Sequence, residues 1–216
     1  MKMNEHRSTD ARGFLAIRSD IAPAAETDYL HWLAREHTIE RVSTEGFLAA
    51  RVFRALDVAE RRYLILYDLA DADAVAGPDY LGKLARPTPW SSRIMPTLGQ
   101  FFRAGGTVEV SIGHGRGAVI AAGIADGADA LPSVDTLRRA LALDRIAAAR
   151  LLVTDAGRTS LPTHEKSLRG GDRSCAGLWL VEALDRDALA PAVAALGATT
   201  GAQFYETVFA IDRASF

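Results

Sequence analysis

Residues 14–21 alternate, with Leu15, Ile17 and Ser19 on one side and Phe14, Ala16 and Arg18 on the other, which is the period of a β-strand. Pro23 ends that run. From Ala24 the period lengthens. Tyr29, Trp32, Leu33, Glu36, His37 and Glu40 fall on one stripe of a helix reaching about Ser43. Alternation returns over residues 47–56 and 63–69, with a polar turn at 57–62 between them, and this reads as a hairpin. A second helical stretch over 72–85 is interrupted at Gly77-Pro78 and broken by Pro87-Thr88-Pro89-Trp90, with a further turn reaching Leu98. A fourth strand covers 107–112. The order is β-α-β-β-α-β, the ferredoxin-like motif.

Glycines 113, 115 and 117 punctuate the chain there and match no nucleotide fingerprint. They read as a tight turn between two strands. The same order then recurs: strand 118–124, helix 133–143 with Ser133 as N-cap, strands 146–154 and 177–184, helix 185–196 offset at Pro191, and strand 203–211. The segment Leu64-Ile65-Leu66-Tyr67-Asp68 aligns with Leu178-Trp179-Leu180-Val181-Glu182. At the same offset Asp71, Asp73 and Ala74 match Asp185, Asp187 and Ala188. The expected organisation is a disordered tail over 1–12 and two tandem ferredoxin-like repeats, 13–115 and 116–216. The repeats differ in one loop, 155–174, which carries His164, Lys166, Arg169 and Arg173. A loop of that length is functional or disordered.

Helices cover one face of each such sheet. Leu15, Ile17, Leu48, Ala50, Val52, Leu64 and Leu66 are assigned to the covered face. Phe14, Phe47, Arg51, Phe53, Tyr63, Ile65 and Tyr67 are assigned to the other. That second face is too apolar for water, and burying it is worth ~1.5–3 kcal/mol per large side chain. The fold class expected is therefore α+β, with two antiparallel sheets packed face to face as an α+β barrel, closed within one chain or across a homodimer.

Composition narrows the partners. Of 216 residues, 49% are hydrophobic, so the chain is of the globular class, although alanine supplies much of that fraction. With 25 basic and 27 acidic side chains the net charge is −2, which gives no bulk attraction to nucleic acid or to an anionic membrane. The single cysteine makes no internal disulfide and no cysteine-paired zinc site. The first residues are polar and lack the apolar core of a secretory signal, and no run reaches the ~18 apolar residues of a membrane span. A cytoplasmic location is expected.

The stretch Trp32-Leu33-Ala34-Arg35-Glu36-His37, with Gly46-Phe47, Arg51, Tyr63, Tyr67, Tyr80 and Pro87-Thr88-Pro89-Trp90, resembles the dimeric α+β barrel superfamily. It is closest to two-repeat bacterial proteins of the EthD-like neighbourhood. The likeness covers roughly residues 14–117, and the second half matches in element order only. It implies architecture more strongly than reaction, because that superfamily holds cofactorless monooxygenases, muconolactone-isomerase-like enzymes, haem proteins such as chlorite dismutases, and proteins of no known activity.

The candidate chemistry is led by the Trp32/Glu36/His37 stripe. One helical turn separates Trp32 from Glu36 and Leu33 from His37, so these side chains are expected to be neighbours. Imidazole titrates near neutrality, and a nearby carboxylate orients it; capping with a core Trp32 is the structural alternative. Arg51, Tyr63 and Tyr67 are expected to project into the barrel. There Arg51 either clamps a carboxylate or phenolate or forms a salt bridge to Glu109 or Glu206. Tyr80 and Trp90, beside Thr88 and Pro89, line a pocket mouth or make a rigid corner. His114 and His164 have no metal-ligand spacing, Cys175 reads as a buried thiol, and no nucleophile motif is present.

The expectation is a small-molecule enzyme or binder of the EthD/cofactorless-monooxygenase type, with its pocket between the sheet and the first helix. His37 and Glu36 are the acid-base pair, and Trp32, Arg51, Tyr63, Tyr67, Tyr80 and Trp90 contact a small aromatic or carboxylate ligand. No cofactor or metal is expected. The alternatives are a non-enzymatic oligomeric or ligand-sensing protein that uses the sheet face as an interface, and a haem protein resembling chlorite dismutase, with His164 as the axial ligand.

Overall fold

In the computed structural model, which describes residues 12–168, 173–197 and 201–215, the alternating segments form eight strands. They are β1 Gly13–Ile21, β2 Phe47–Ala55, β3 Arg61–Leu69, β4 Gly99–Ile112, β5 Val119–Ala125, β6 Ile146–Thr154, β7 Gly177–Ala183 and β8 Gln203–Asp212. All pairings are antiparallel, and the strands close into one barrel in the order β1-β3-β2-β8-β5-β7-β6-β4. One chain completes the closure, so among the described residues no strand edge is left unpaired.

The two longest strands make the seams. β4 pairs with β1 through its first part and with β6 through its second, and β8 joins β2 to β5. β4 begins well before residue 107, where alternation first shows. The pair Gly105-Gly106 hides its first part from a reading of side-chain period. Gly106 is needed there: a Cβ would stand 2.1 Å from the Val153 carbonyl oxygen.

Helices lie outside the barrel: α1 Glu26–Trp32, a π-helical turn Leu33–His37, α2 Thr38–Val42, α3 Pro78–Ala85, α4 Pro89–Ile94, α5 Val134–Leu141, α6 Ala156–Thr159, α7 His164–Ser167 and α8 Leu189–Ala195. Pro78 and Pro89 open their helices at the first turn, where a missing N–H removes no bond. Ser133 caps α5 as expected, its hydroxyl accepting from the Thr136 N–H.

Three apolar cores result. Phe14, Ala16, Phe53, Leu64, Leu66, Phe102, Leu178, Leu180 and Tyr205 fill the barrel. Leu15, Phe47, Val52, Tyr63, Ile65 and Tyr67 pack under α1–α4, and Trp179, Val181, Leu137 and Leu189 under α5 and α8. This reverses the expected assignment of β3. Leu64 and Leu66 point into the barrel, and Tyr63, Ile65 and Tyr67 lie beneath the helices. The β2–β3 register decides it, since Arg51 faces Leu66 and Ala50 faces Tyr67, and residues opposite one another share a sheet face. A bulge between Phe47 and Ala49 also turns Phe47 to the helix side. Of the face expected to pack on a second sheet, Phe14, Arg51 and Phe53 do line the barrel interior, and Phe47, Tyr63, Ile65 and Tyr67 lie under the helices.

Arg51 does point inward as read, but its partner is neither Glu109, which is exposed, nor Glu206, which pairs with Arg54. Its guanidinium spans the interior to Glu182 on β7 through two bonds of 2.7 and 3.1 Å. Glu182 also accepts from the Gly117 N–H at 2.9 Å and lies 3.5 Å from Arg150. Among the described residues no helix is long and apolar enough to cross a membrane.

Candidate functional site

The first helical layer carries the feature that most changes the sequence picture. Between α1 and α2 the chain takes one π-helical turn. The Thr38 N–H bonds the Leu33 carbonyl, and the Thr38 hydroxyl donates to the same oxygen at 2.8 Å. The extra residue shifts the stripe, so Trp32 meets His37 instead of Glu36. Their rings stack with centroids 4.1 Å apart at 29°. Both are buried, at 1% and 2% exposure. The Trp32 indole N–H donates to Ser91 at 3.2 Å, which fixes the ring. Glu36 turns outward and accepts from Thr88 at 2.6 Å, so it does not orient His37 as expected.

A narrow cavity of ≈20 Å³ opens beside this stack, with ≈430 Å³ of unfilled space once its crevices and mouth are included. The smaller figure is about the room one water needs. Trp32, His37 and Arg41 line it from the helix, Tyr80 from α3, Arg103 from β4 and Glu165 from α7. Arg41 donates to Glu165 at 2.5 Å and lies over the Tyr80 ring at 5.6 Å. Arg103 donates to the Tyr80 hydroxyl at 3.2 Å. Burial works against the Arg41 cation, but Glu165 and its other neighbours outweigh it and raise its pKa, so it stays charged. Behind Arg41 the Tyr67 hydroxyl is buried with no hydrogen-bond partner among the described residues. Such an orphan costs ~1–3 kcal/mol.

The predicted residues thus divide. Trp32, His37 and Tyr80 meet at the cavity. Tyr67 belongs to the same buried layer, and Tyr63 donates to Glu26 at 2.5 Å at its far end. Trp90 is half-buried and donates to Asp28 at 3.1 Å, which makes it part of a packed corner. Arg51 is on the opposite sheet face and cannot share a ligand with His37. Arg41, Arg103, Glu165 and Lys166 were not anticipated. Arg41 sits one turn after His37 and was legible only once the π-turn is known, and Arg103 lies in the part of β4 that alternation missed. Glu165 comes from the 155–174 loop, whose length was the one signal; within that loop Arg169 lies outside the described residues. Arg173 bridges to β4, its carbonyl accepting from the Arg103 N–H at 2.8 Å. Cys175 is half-buried.

An iron porphyrin does not fit these residues. His164, the expected axial ligand, is exposed, as is His114. The equivalent space in the second half is filled by Trp179, Leu137, Leu189 and Val193. No cluster of metal-ligating side chains occurs among the described residues.

All five tyrosines are buried. Burial pushes Tyr29 up to about 12, against the opposing bond to Ser19. It holds Tyr67 well above the ordinary 10.0, with Arg41 acting the other way. Tyr63 and Tyr205 are also raised, chiefly by burial. The folded state therefore keeps its phenolic protons longer than the unfolded chain. Their contribution to stability is complete below pH 10 and is lost as pH rises towards 12. Phenolate absorbance is expected to appear together with cooperative loss of circular dichroism. Phenolate forming near pH 10 in a still-folded protein would contradict the buried placement.

In the comparison with solved structures, the fold is similar to an anthrone oxidase-like protein (TM-score 0.57, 10% identity, 95% of this chain and 94% of that one). It is also similar to a candidate monooxygenase from Fusobacterium nucleatum (TM-score 0.57, 8% identity, 95% and 96%). A candidate chlorite dismutase is similar as well (TM-score 0.52, 12% identity, 92% and 96%). At such identities the likeness is one of fold. No family model matches the chain, and no curated protein matches it in sequence.

Proposed function

We propose that the chain is a small-molecule enzyme or binder of the cofactorless-monooxygenase type, acting on a small aromatic compound with an acidic oxygen in the cavity between the β1–β3 face and the first helix. The observation that carries this reading is the Trp32–His37 stack on a π-turn, facing two buried arginines across the cavity. Single π-turns inside α-helices occur frequently at functional sites. Tyr29, Trp32 and Tyr80 offer walls to a ring. His37 accepts the proton of a phenol or enol, and Arg41 and Arg103 offset the charge left on its oxygen. The deprotonated ring gives electrons to O₂, as co-substrate, and a C–O bond forms at the ring carbon. The resulting hydroperoxide breaks its O–O bond and loses water, so that one oxygen atom stays as a carbonyl and the other leaves as H₂O.

The strand orders β4-β1-β3-β2 and β8-β5-β7-β6 repeat one pattern, which supports a tandem duplication of a ferredoxin-like unit. An EthD-like, cytoplasmic homodimer is the setting proposed for it.

A second reading, a non-enzymatic sensor, is favoured by the cavity's small size and by the internal bonding of Arg41 and Arg103. His37→Gln separates the two, because it keeps most of the buried volume and removes the base. Oxygen uptake is measured with hydroquinone and anthrone as substrates. His37→Gln is expected to reduce the rate by about 10²-fold or more, with the thermal midpoint within a few degrees of wild type. No oxygen uptake by either protein, with ligand-induced stabilisation retained, would leave the sensor. Absence of both would discard the pocket.

A further inference from the structure

We infer that Glu165 is a built-in stand-in for the ligand's acidic group, and that an aromatic monocarboxylate displaces it from Arg41 and releases α7 from the cavity. This rests on the cavity being a ligand site. Arg41 and Glu165 are 2% and 5% exposed and lie 124 positions apart in the chain. Two charges removed from water gain little net stability from each other compared with well-packed apolar residues. Packing alone therefore does not call for this pair. What Arg41 does require is some anion, because an unpaired buried guanidinium is costly.

Glu165 is the one carboxylate among the described residues that line the cavity, against Arg41, Arg103 and Lys166. Glu40 touches Arg41 only from the side, at 3.1 Å and partly in solvent. The position on Arg41 is thus already shaped for a planar monoanion, and Glu165 fills it. The Tyr80 ring lies against Arg41, and Trp32 lines the same cavity, which gives the ring of a bound acid aromatic neighbours. The Tyr67 hydroxyl, without a partner among the described residues, offers a further donor beside Arg41.

The segment that delivers Glu165 is short and outward-facing. α7 is four residues long, with His164 and Ser167 exposed. Lys166 donates to the Leu161 carbonyl at 2.6 Å and Ser167 to the His164 carbonyl at 2.7 Å, both within the segment. Glu165 reaches out of it to Arg41, and Leu168 packs on the apolar layer. A carboxylate that takes over Arg41 removes that tie. Withdrawal of Glu165 and Lys166 also adds their volume to a cavity that otherwise holds about one water.

The test compares benzoate with its neutral isostere benzamide by calorimetry. Glu165→Gln is expected to bind benzoate about tenfold more tightly than wild type, since the competing internal state is removed, while benzamide affinity stays within about twofold. The double variant Arg41→Gln/Glu165→Gln keeps a neutral bonded pair and is expected to lose the preference for benzoate. In the wild type, benzoate is expected to speed hydrogen exchange at the Ser167 and Leu168 amides, which needs no variant to fold. Equal benzoate affinity in wild type and Glu165→Gln, or unchanged exchange on saturation, would overturn the stand-in. If both probes bind both proteins equally, the pocket reading survives alone; if neither binds either protein, both readings fall.

Discussion

Glu182→Ala is expected to lower the free energy of unfolding by ~3–5 kcal/mol, the largest loss from any single polar substitution in this protein. The residue is fully buried in the barrel and holds Arg51 by two bonds, the Gly117 N–H by a third, and Arg150 within 3.5 Å. Truncation leaves Arg51 and a backbone donor without their acceptor in an apolar interior, while Arg150 keeps Asp68 at 3.7 Å. The pair itself is worth much less than its breakage costs. The double variant Arg51→Met/Glu182→Leu is therefore expected to recover most of the loss in urea titrations. A single variant as stable as wild type would show that water reaches the barrel interior.

The same carboxylate gives an acid limb with a defined sign. Burial alone would raise the Glu182 pKa. The Arg51 hydrogen bond and charge, then Arg150 and the Gly117 N–H, outweigh burial and hold it below the ordinary 4.5. The unfolded chain then takes up the proton first as pH falls. This contribution to stability is complete above pH 4.5 and is lost as pH drops through the folded value. Glu182→Gln is expected to flatten that limb in urea midpoints measured across a pH series.

Gly123→Ala is expected to be the next most damaging change, at about 3 kcal/mol or more. A Cβ on residue 123 would lie 2.1 Å from Trp179 Cε2 and 2.3 Å from its Nε1, inside the indole ring. Trp179 is 3% exposed, and Ala121, Leu137, Leu189 and Val193 surround it, so the ring cannot step aside without opening a hole in the second helical layer. Adding Trp179→Leu to Gly123→Ala is expected to restore part of the stability. Indole emission should report the single variant by a red shift if Trp179 is expelled. A tolerated alanine with unchanged emission would mean that β5 and β7 slide apart at little cost. The contact bears on function as well, because this ring occupies the second-half space in which the haem reading would place a porphyrin.

Several features were legible in the sequence for reasons that lie within a few residues of one another. Strand and helix periods located seven of the eight strands nearly to their ends and placed the breaks at Pro23, Gly77-Pro78 and Pro87–Pro89. His37 and Trp32 were found because both lie on the buried stripe of the first helix. β3 was assigned to the wrong faces because a strand with large apolar residues on both sides carries no internal sign of which way it points. Its direction follows from pairing with β2, and the bulge at Phe47 changes that parity again. Trp32 was paired with Glu36, and His37 with Leu33, because i,i+4 spacing assumes an unbroken α-helix, and one π-turn resets the count.

Taken alone, the sequence determined the element order, the need to bury both faces of each sheet, and a histidine–tryptophan pair on the first helix. These follow from short-range period and from the aversion of apolar surface to water. Closure of the barrel within one chain, the Arg51–Glu182 bond across it, and the grouping of His37 with Arg41, Arg103 and Glu165 were decided only by the tertiary structure. Each depends on register and on contacts between residues far apart in the chain, to which a periodicity window is blind. A charged side chain in one segment does not show which distant segment will neutralise it. For Arg51 that segment is β7, and for Arg41 it is a four-residue helix in the loop between β6 and β7.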